Sequence, residues 1–125
     1  MKKKFVCLVV LFLLLVGCAN TYNEKEDFTY SRLQSDFPIP ANAKEQRGDA
    51  KKDKSVYQKY ELIGIGKETT DNGEIHPTAY FEKIAEEGWK EEKKFEGKAI
   101  VFQKNENQIY LELHTDYFEL TKLVE

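Results

Sequence analysis

The chain has 125 residues, enough for one domain, and a formal net charge of −3 from 19 basic and 22 acidic residues. That balance argues against nucleic-acid binding, which leans on Lys and Arg at phosphates. Its two cysteines, Cys7 and Cys18, both fall near the start, so the rest of the chain has no thiol for a disulfide, a thiolate metal site or a cysteine nucleophile.

The chain opens with Lys2, Lys3 and Lys4, followed by an uncharged apolar run from Phe5 to Val16. A membrane-crossing helix needs about 20 apolar residues, so this run has the length of a signal-peptide core instead. It ends in Leu15-Val16-Gly17-Cys18. These four residues resemble the lipobox of bacterial lipoproteins. The resemblance implies cleavage between Gly17 and Cys18 and a diacylglyceryl group on the Cys18 thiol. It also implies lipid anchoring at the outer, extracytoplasmic face of a cell membrane. Two acyl chains hold firmly where one binds only marginally, each buried methylene adding roughly 0.8 kcal/mol. Cleavage would leave 16 basic and 22 acidic residues, an acidic mature chain without a polybasic membrane-binding segment.

Residues 18–36 are polar and charged, and read as a lipidated N-terminus and flexible spacer. Phe28, Tyr30 and Leu33 are more apolar than a spacer requires and could dock on the domain. A single domain is expected over 37–125. Phe37-Pro38-Ile39-Pro40 enforces an extended lead-in, with Ala41 to Gln46 a candidate strand. Residues 47–54 form a charged loop, whose Arg47-Gly48-Asp49 tripeptide carries little weight as an adhesion motif.

Ser55 to Ile65 predicts a strand, with Val56, Tyr60 and Leu62 on one face and Tyr57, Lys59 and Glu61 on the other. Residues 67–76 form a polar loop. Pro77 to Glu87 predicts a helix with Tyr80, Phe81, Ile84 and Ala85 as its apolar stripe, ended by a left-handed Gly88. Strands are expected from Trp89 to Phe95, from Ala99 to Lys104 and from Ile109 to His114, with turns at Glu96-Gly97 and Asn105-Glu106-Asn107. Phe118 to Val124 is a candidate final strand. The expected fold is α+β, a small antiparallel sheet with one helix packed on one face, in the order strand, helix, strand, strand. The stretch from Phe37 through Gly88-Trp89 and the closing hairpin is also similar to small uncharacterised lipoprotein domains of low-GC Gram-positive bacteria. That resemblance implies no activity.

One helix leaves the second sheet face to be accounted for. Alternation puts Tyr57 and Tyr110 there, and with His114 they form the candidate interaction surface. The face is expected either to be covered by residues 28–46 or to meet a partner, since contiguous apolar patches mark interaction sites. No nucleophile elbow, phosphate-binding glycine loop or paired-histidine motif is present, so no catalytic residue, cofactor or metal is assigned. The reading favoured is a tethered protein-interaction or accessory module docking on another envelope protein. One alternative is an envelope enzyme or metal-dependent accessory protein, requiring His76 and His114 to converge with Glu74 and Asp116. A second is a small-ligand receptor.

Overall fold

A computed structural model describes residues 20–47, 51–95 and 98–123. Gly17, Cys18, the signal segment, Gly48-Asp49 and the Glu96-Gly97 turn lie outside the described residues. The strands are β1 (Phe28–Tyr30), β2 (Pro38–Pro40), β3 (Lys44–Gln46), β4 (Tyr57–Glu61), β5 (Lys90–Phe95), β6 (Ala99–Lys104), β7 (Asn107–Leu113) and β8 (Tyr117–Leu123). One helix, α1 (Thr78–Glu86), falls between β4 and β5. Among the described residues no helix is long and apolar enough to cross a membrane.

The expected small sheet with a helix on one face is corrected. The described residues form eight strands in two antiparallel sheets, a six-stranded one in the order β3-β4-β8-β7-β6-β5 and a two-stranded ribbon of β1 and β2. The reason is dimensional. A nine-residue helix is about 14 Å long, whereas six strands span about 24 Å across. The helix cannot cover that width, and the ribbon covers the remainder. Residues 20–36 are therefore not a free spacer: Tyr22 N–H bonds the Ile63 carbonyl at 2.7 Å, and residues 28–30 pair with 38–40.

The ribbon has three-residue strands with proline at alternate positions. Ser31 N–H bonds the Phe37 carbonyl at 2.9 Å and Ala41 N–H bonds the Asp27 carbonyl at 2.9 Å. Odd-numbered residues of β2 therefore face β1, and Pro38 and Pro40 face away. Their missing N–H groups fall on the edge not paired with β1, which is buried, with Tyr80 reaching the Pro38 carbonyl there. At one end of the large sheet, β5 (KEEKKF) is exposed along its whole length, and its charges protect that edge.

The helix begins where the Glu68 carboxylate accepts from the Thr78 N–H and hydroxyl, both at 2.9 Å, a negative charge at the positive end of the helix dipole. It ends in two closing bonds, Gly88 N–H to the Ala85 carbonyl and Trp89 N–H to the Ile84 carbonyl, with Gly88 at φ +94°. That pattern is the Schellman motif, in which a left-handed residue lets two orphan carbonyls be satisfied.

The core unites both covers with one sheet face. Leu33, Phe37 and Ile39 from the ribbon segment and Tyr80, Phe81 and Ile84 from the helix join Tyr60, Leu62, Ile100, Phe102, Ile109, Leu111, Leu113, Phe118 and Leu120. Tyr80 donates to the Pro38 carbonyl at 3.0 Å, and the Trp89 indole donates to the Asp36 carbonyl at 2.9 Å. Phe37 meets Trp89 edge to face at 5.1 Å between ring centres. The Asp36 carboxylate pairs with Lys104 at 2.9 Å and accepts from Gln34.

Tyr80 is fully buried, so Tyr80→Phe strands the Pro38 carbonyl without its donor. The variant is expected to lose roughly 1–2 kcal/mol in urea unfolding. Asp36 gives a pH signature. Burial pushes its carboxyl up, but Gln34 and Lys104 outweigh burial and hold it below its ordinary value. A depressed carboxyl stabilises the fold above the usual carboxylate range of about 4, and that stability is lost as pH falls through the folded value. Asp36→Asn should therefore lose stability less steeply than the parent in acid denaturation below pH about 4.

Candidate functional site

The two covers leave the other face of the six-stranded sheet without a second layer among the described residues. Register builds that face in rows. One row runs Tyr57, Thr121, Tyr110, Val101, Lys93 across β4, β8, β7, β6 and β5. The next runs Gln46, Lys59, Glu119, Glu112, Ala99, Phe95 from β3 to β5. Ala99, Val101 and Tyr57 are buried here yet stand outside the core cluster. Long neighbours shield them: Tyr110 meets Phe95 at 5.8 Å, Lys93 lies over the Phe95 ring, and Lys52 lies over the Tyr57 ring. Residues 28–46 do not cover this face. Leu33, Phe37 and Ile39 insert into the opposite one, because the apolar core residues of β6, β7 and β8 face that way.

Tyr110 sits half-buried in this face. Tyr57 is only 5% exposed, so it supports the surface from beneath and does not display its ring. His114 follows β7 in the same phase as Tyr110 and Glu112, and its ring stacks on Tyr117 at 4.2 Å and 8°. Its Nε2 lies 2.9 Å from Glu112 Oε2 and 3.5 Å from Glu119 Oε1. The Tyr57 hydroxyl donates to the other oxygen of Glu119. Burial pushes the Glu112 carboxyl up, but the hydrogen bond and charge of His114 outweigh it and hold that carboxyl below its ordinary value. Burial and the Glu112 charge raise the Tyr110 phenol.

Among the described residues, Glu112, His114 and Glu119 form the group whose ligand atoms lie within 4.8 Å of one another. His76, Glu74 and Asp116 are not part of it. His76 packs edge to face on Phe81 at 4.7 Å, Glu74 faces Lys94, and Asp116 accepts from Gly64 N–H at 2.9 Å. The convergence of His76 with His114 is thus corrected: the turn at 114–117 sends Asp116 back to the Gly64 loop and brings Glu119 under the imidazole. Glu119 is the residue sequence reasoning missed. Its signal was the clean alternation through Glu112 and His114 followed by a short break and a second strand, which places a β8 residue opposite Glu112.

Gly66 fixes this turn. Its N–H bonds the Thr115 carbonyl at 3.0 Å, and a Cβ there would lie 2.4 Å from the His114 carbonyl oxygen and 2.8 Å from Thr115 Cα. Among the described residues, a concavity lined by residues including Asn20, Tyr22, Asn42, Ile63 and Lys67 is an open trough and not an enclosed cleft.

No family model, no curated protein and no solved structure matches this chain.

Because Gly66 meets backbone and not a flexible side chain, Gly66→Ala must displace the 114–115 turn. The expected cost is about 1–3 kcal/mol in chemical denaturation. The His114 ring resonances should shift, while those of His76 stay in place.

Proposed function

We propose that the protein is a lipid-anchored extracytoplasmic accessory module that docks another envelope protein on its uncovered sheet face. The observation that carries the docking half is the composition of that face. Phe95 and Leu123 are exposed at 41% and 40%, and both lie in the phase of Tyr110, on the side opposite the helix and ribbon. Phe95 on edge strand β5 and Leu123 at the end of β8 flank Tyr110, with Lys93, Lys59 and Glu119 interspersed, and this mixture of aromatic, aliphatic and charged side chains has the make-up of an interaction surface.

The anchoring half rests on Leu15-Val16-Gly17-Cys18. Its geometry has a consequence. Asn20 is two residues beyond Cys18, and its carbonyl accepts from the Ile63 N–H at 2.9 Å. Two residues reach at most about 7 Å. A lipid on Cys18 therefore holds the domain close to the headgroups, with the Asn20, Asn42 and Ile63 end nearest the bilayer. The receptor alternative has only the open trough in its favour, whereas the metal-dependent alternative gains the grouping of His114 with two glutamates.

The full chain carrying a photo-crosslinking residue at Tyr110 should give a membrane-fraction adduct with another protein. The same residue at Glu82, on the exposed side of α1, should not. An adduct from position 82 alone, or from neither, overturns the docking face. Cys18→Ser should move the protein out of the membrane fraction, and full retention overturns the anchor.

A further inference from the structure

We propose that Glu112, His114 and Glu119 form a zinc-binding site on the outer sheet face, a role that stands whether or not the face docks a partner. Three features of the geometry carry it.

The first is ligand type and spacing. Zinc takes imidazole nitrogen and carboxylate oxygen at about 2.0–2.2 Å, so tetrahedral ligand atoms sit about 3.3 Å apart. Here His114 Nε2 lies 2.9 Å from Glu112 Oε2 and 3.5 Å from Glu119 Oε1, with all three ligand atoms inside 4.8 Å of one another. Turning one carboxylate closes the set. One imidazole and two carboxylates suit a borderline divalent ion such as zinc, with water at the fourth position.

The second is that each ligand is held from outside the triad. The Tyr57 hydroxyl engages one oxygen of Glu119 and leaves the other toward His114. Tyr110 stands beside Glu112 on the same face, one step along β7. Tyr117 stacks flat on the imidazole, and Gly66 pins the turn that carries it. Such outer contacts orient ligands and tune affinity. Two of the ligands come from paired central strands, Glu112 directly opposite Glu119 in the β7–β8 register, and His114 follows β7 with its N–H on the Tyr117 carbonyl at 2.9 Å.

The third is electrostatic. Like charges directly opposite one another across a strand pair are destabilising. Here Glu119 also stands opposite Lys59 and both carboxylates meet His114, with side chains only 29% and 17% exposed, so positive and hydrogen-bonding groups already draw them toward the point where a metal ion would sit. The group in contact with both carboxylates is His114, and its Nε2 is an atom type that zinc takes.

The test uses the full chain purified in detergent, stripped with chelator, and titrated with zinc against a chromophoric competitor. Cobalt serves as the spectroscopic probe. Saturable one-to-one binding with a dissociation constant in the micromolar range or tighter is expected, together with visible cobalt bands of a four- or five-coordinate site. His114→Gln and Glu119→Gln should each weaken zinc at least tenfold, and Tyr57→Phe should weaken it less, as a positioning residue. His76→Gln should leave it unchanged. Circular dichroism without metal establishes that each variant is folded. A variant that is not folded is replaced by Glu112→Gln, which must show the same loss. Absence of saturable binding at micromolar zinc, or equal affinity in folded His114→Gln, overturns the site. Loss confined to His76→Gln also overturns it. Crosslinking from Tyr110 reads the docking surface separately, so failure of either proposal is distinguishable from failure of the other.

Discussion

The fold depends on the junction where the ribbon and the helix meet over one face of the sheet. Phe37 fills the space between Trp89 and Phe102, Tyr80 ties the helix to the Pro38 carbonyl, and Trp89 ties the helix end to Asp36. Neither cover suffices alone. The helix is too short for six strands, and a two-stranded ribbon is at best marginally stable in isolation. Their mutual contact makes a continuous layer, and buried aromatic side chains supply most of its area. No cysteine falls after Cys18, so no disulfide braces this junction. Its hydrogen bonds are few, and each is directed to a carbonyl that ladder pairing leaves free.

Committing both covers to one face determines what the other face can be. It cannot be an apolar layer, because nothing in the described chain shields it. Its rows instead mix aromatic, charged and small residues, and long side chains bury the small ones. Ala99 and Val101 are shielded in this way by Tyr110, Phe95 and Lys93, and Tyr57 by Lys52. Cross-strand pairing is the main source of stabilisation on such a face. The exception is the Glu112–Glu119 pair, where two negative groups stand opposite each other. Lys59 opposite Glu119 and His114 against both carboxylates offset that pair on its two central strands.

Much of this was legible in the sequence, and the remainder failed for definable reasons. The expected helix stripe of Tyr80, Phe81, Ile84 and Ala85 held at its first three members, Ala85 being exposed, and it and the Gly88-Trp89 ending were readable because a nine-residue helix shows its period and its cap locally. The alternation of β7 was equally readable, since Ile109, Leu111 and Leu113 are all fully buried. The ribbon was not, because three-residue strands interrupted by Pro38 and Pro40 show no period and their pairing spans a loop. Nor was the rank of β8. Phe118 to Val124 looked like a final strand, yet β8 (Tyr117–Leu123) lies between β4 and β7, and long-range pairing leaves no local mark. The grouping at His114 failed similarly. Asp116 is nearer in sequence, but the hairpin directs it to Gly64, and Glu119 meets the imidazole through the strand register.

The loop at residues 62–66 links the N-terminal segment to the turn that carries His114. Ile63 holds the N-terminal segment through paired backbone bonds with Asn20 and Tyr22. Two residues on, Ile65 is fully buried and Gly66 presses against the 114–115 backbone beneath His114. Gly64, at φ +85°, gives the chain the left-handed step needed between them and takes the Asp116 carboxylate on its N–H. On the lipoprotein reading, the segment leading to Cys18 and the turn carrying His114 are anchored to the same few residues. The membrane would then set the height and orientation of the site directly, through backbone hydrogen bonds and without a flexible spacer. A docking face held this way is presented at fixed distance from the bilayer. That favours a partner whose own surface lies close to the membrane over one that must be captured at a distance.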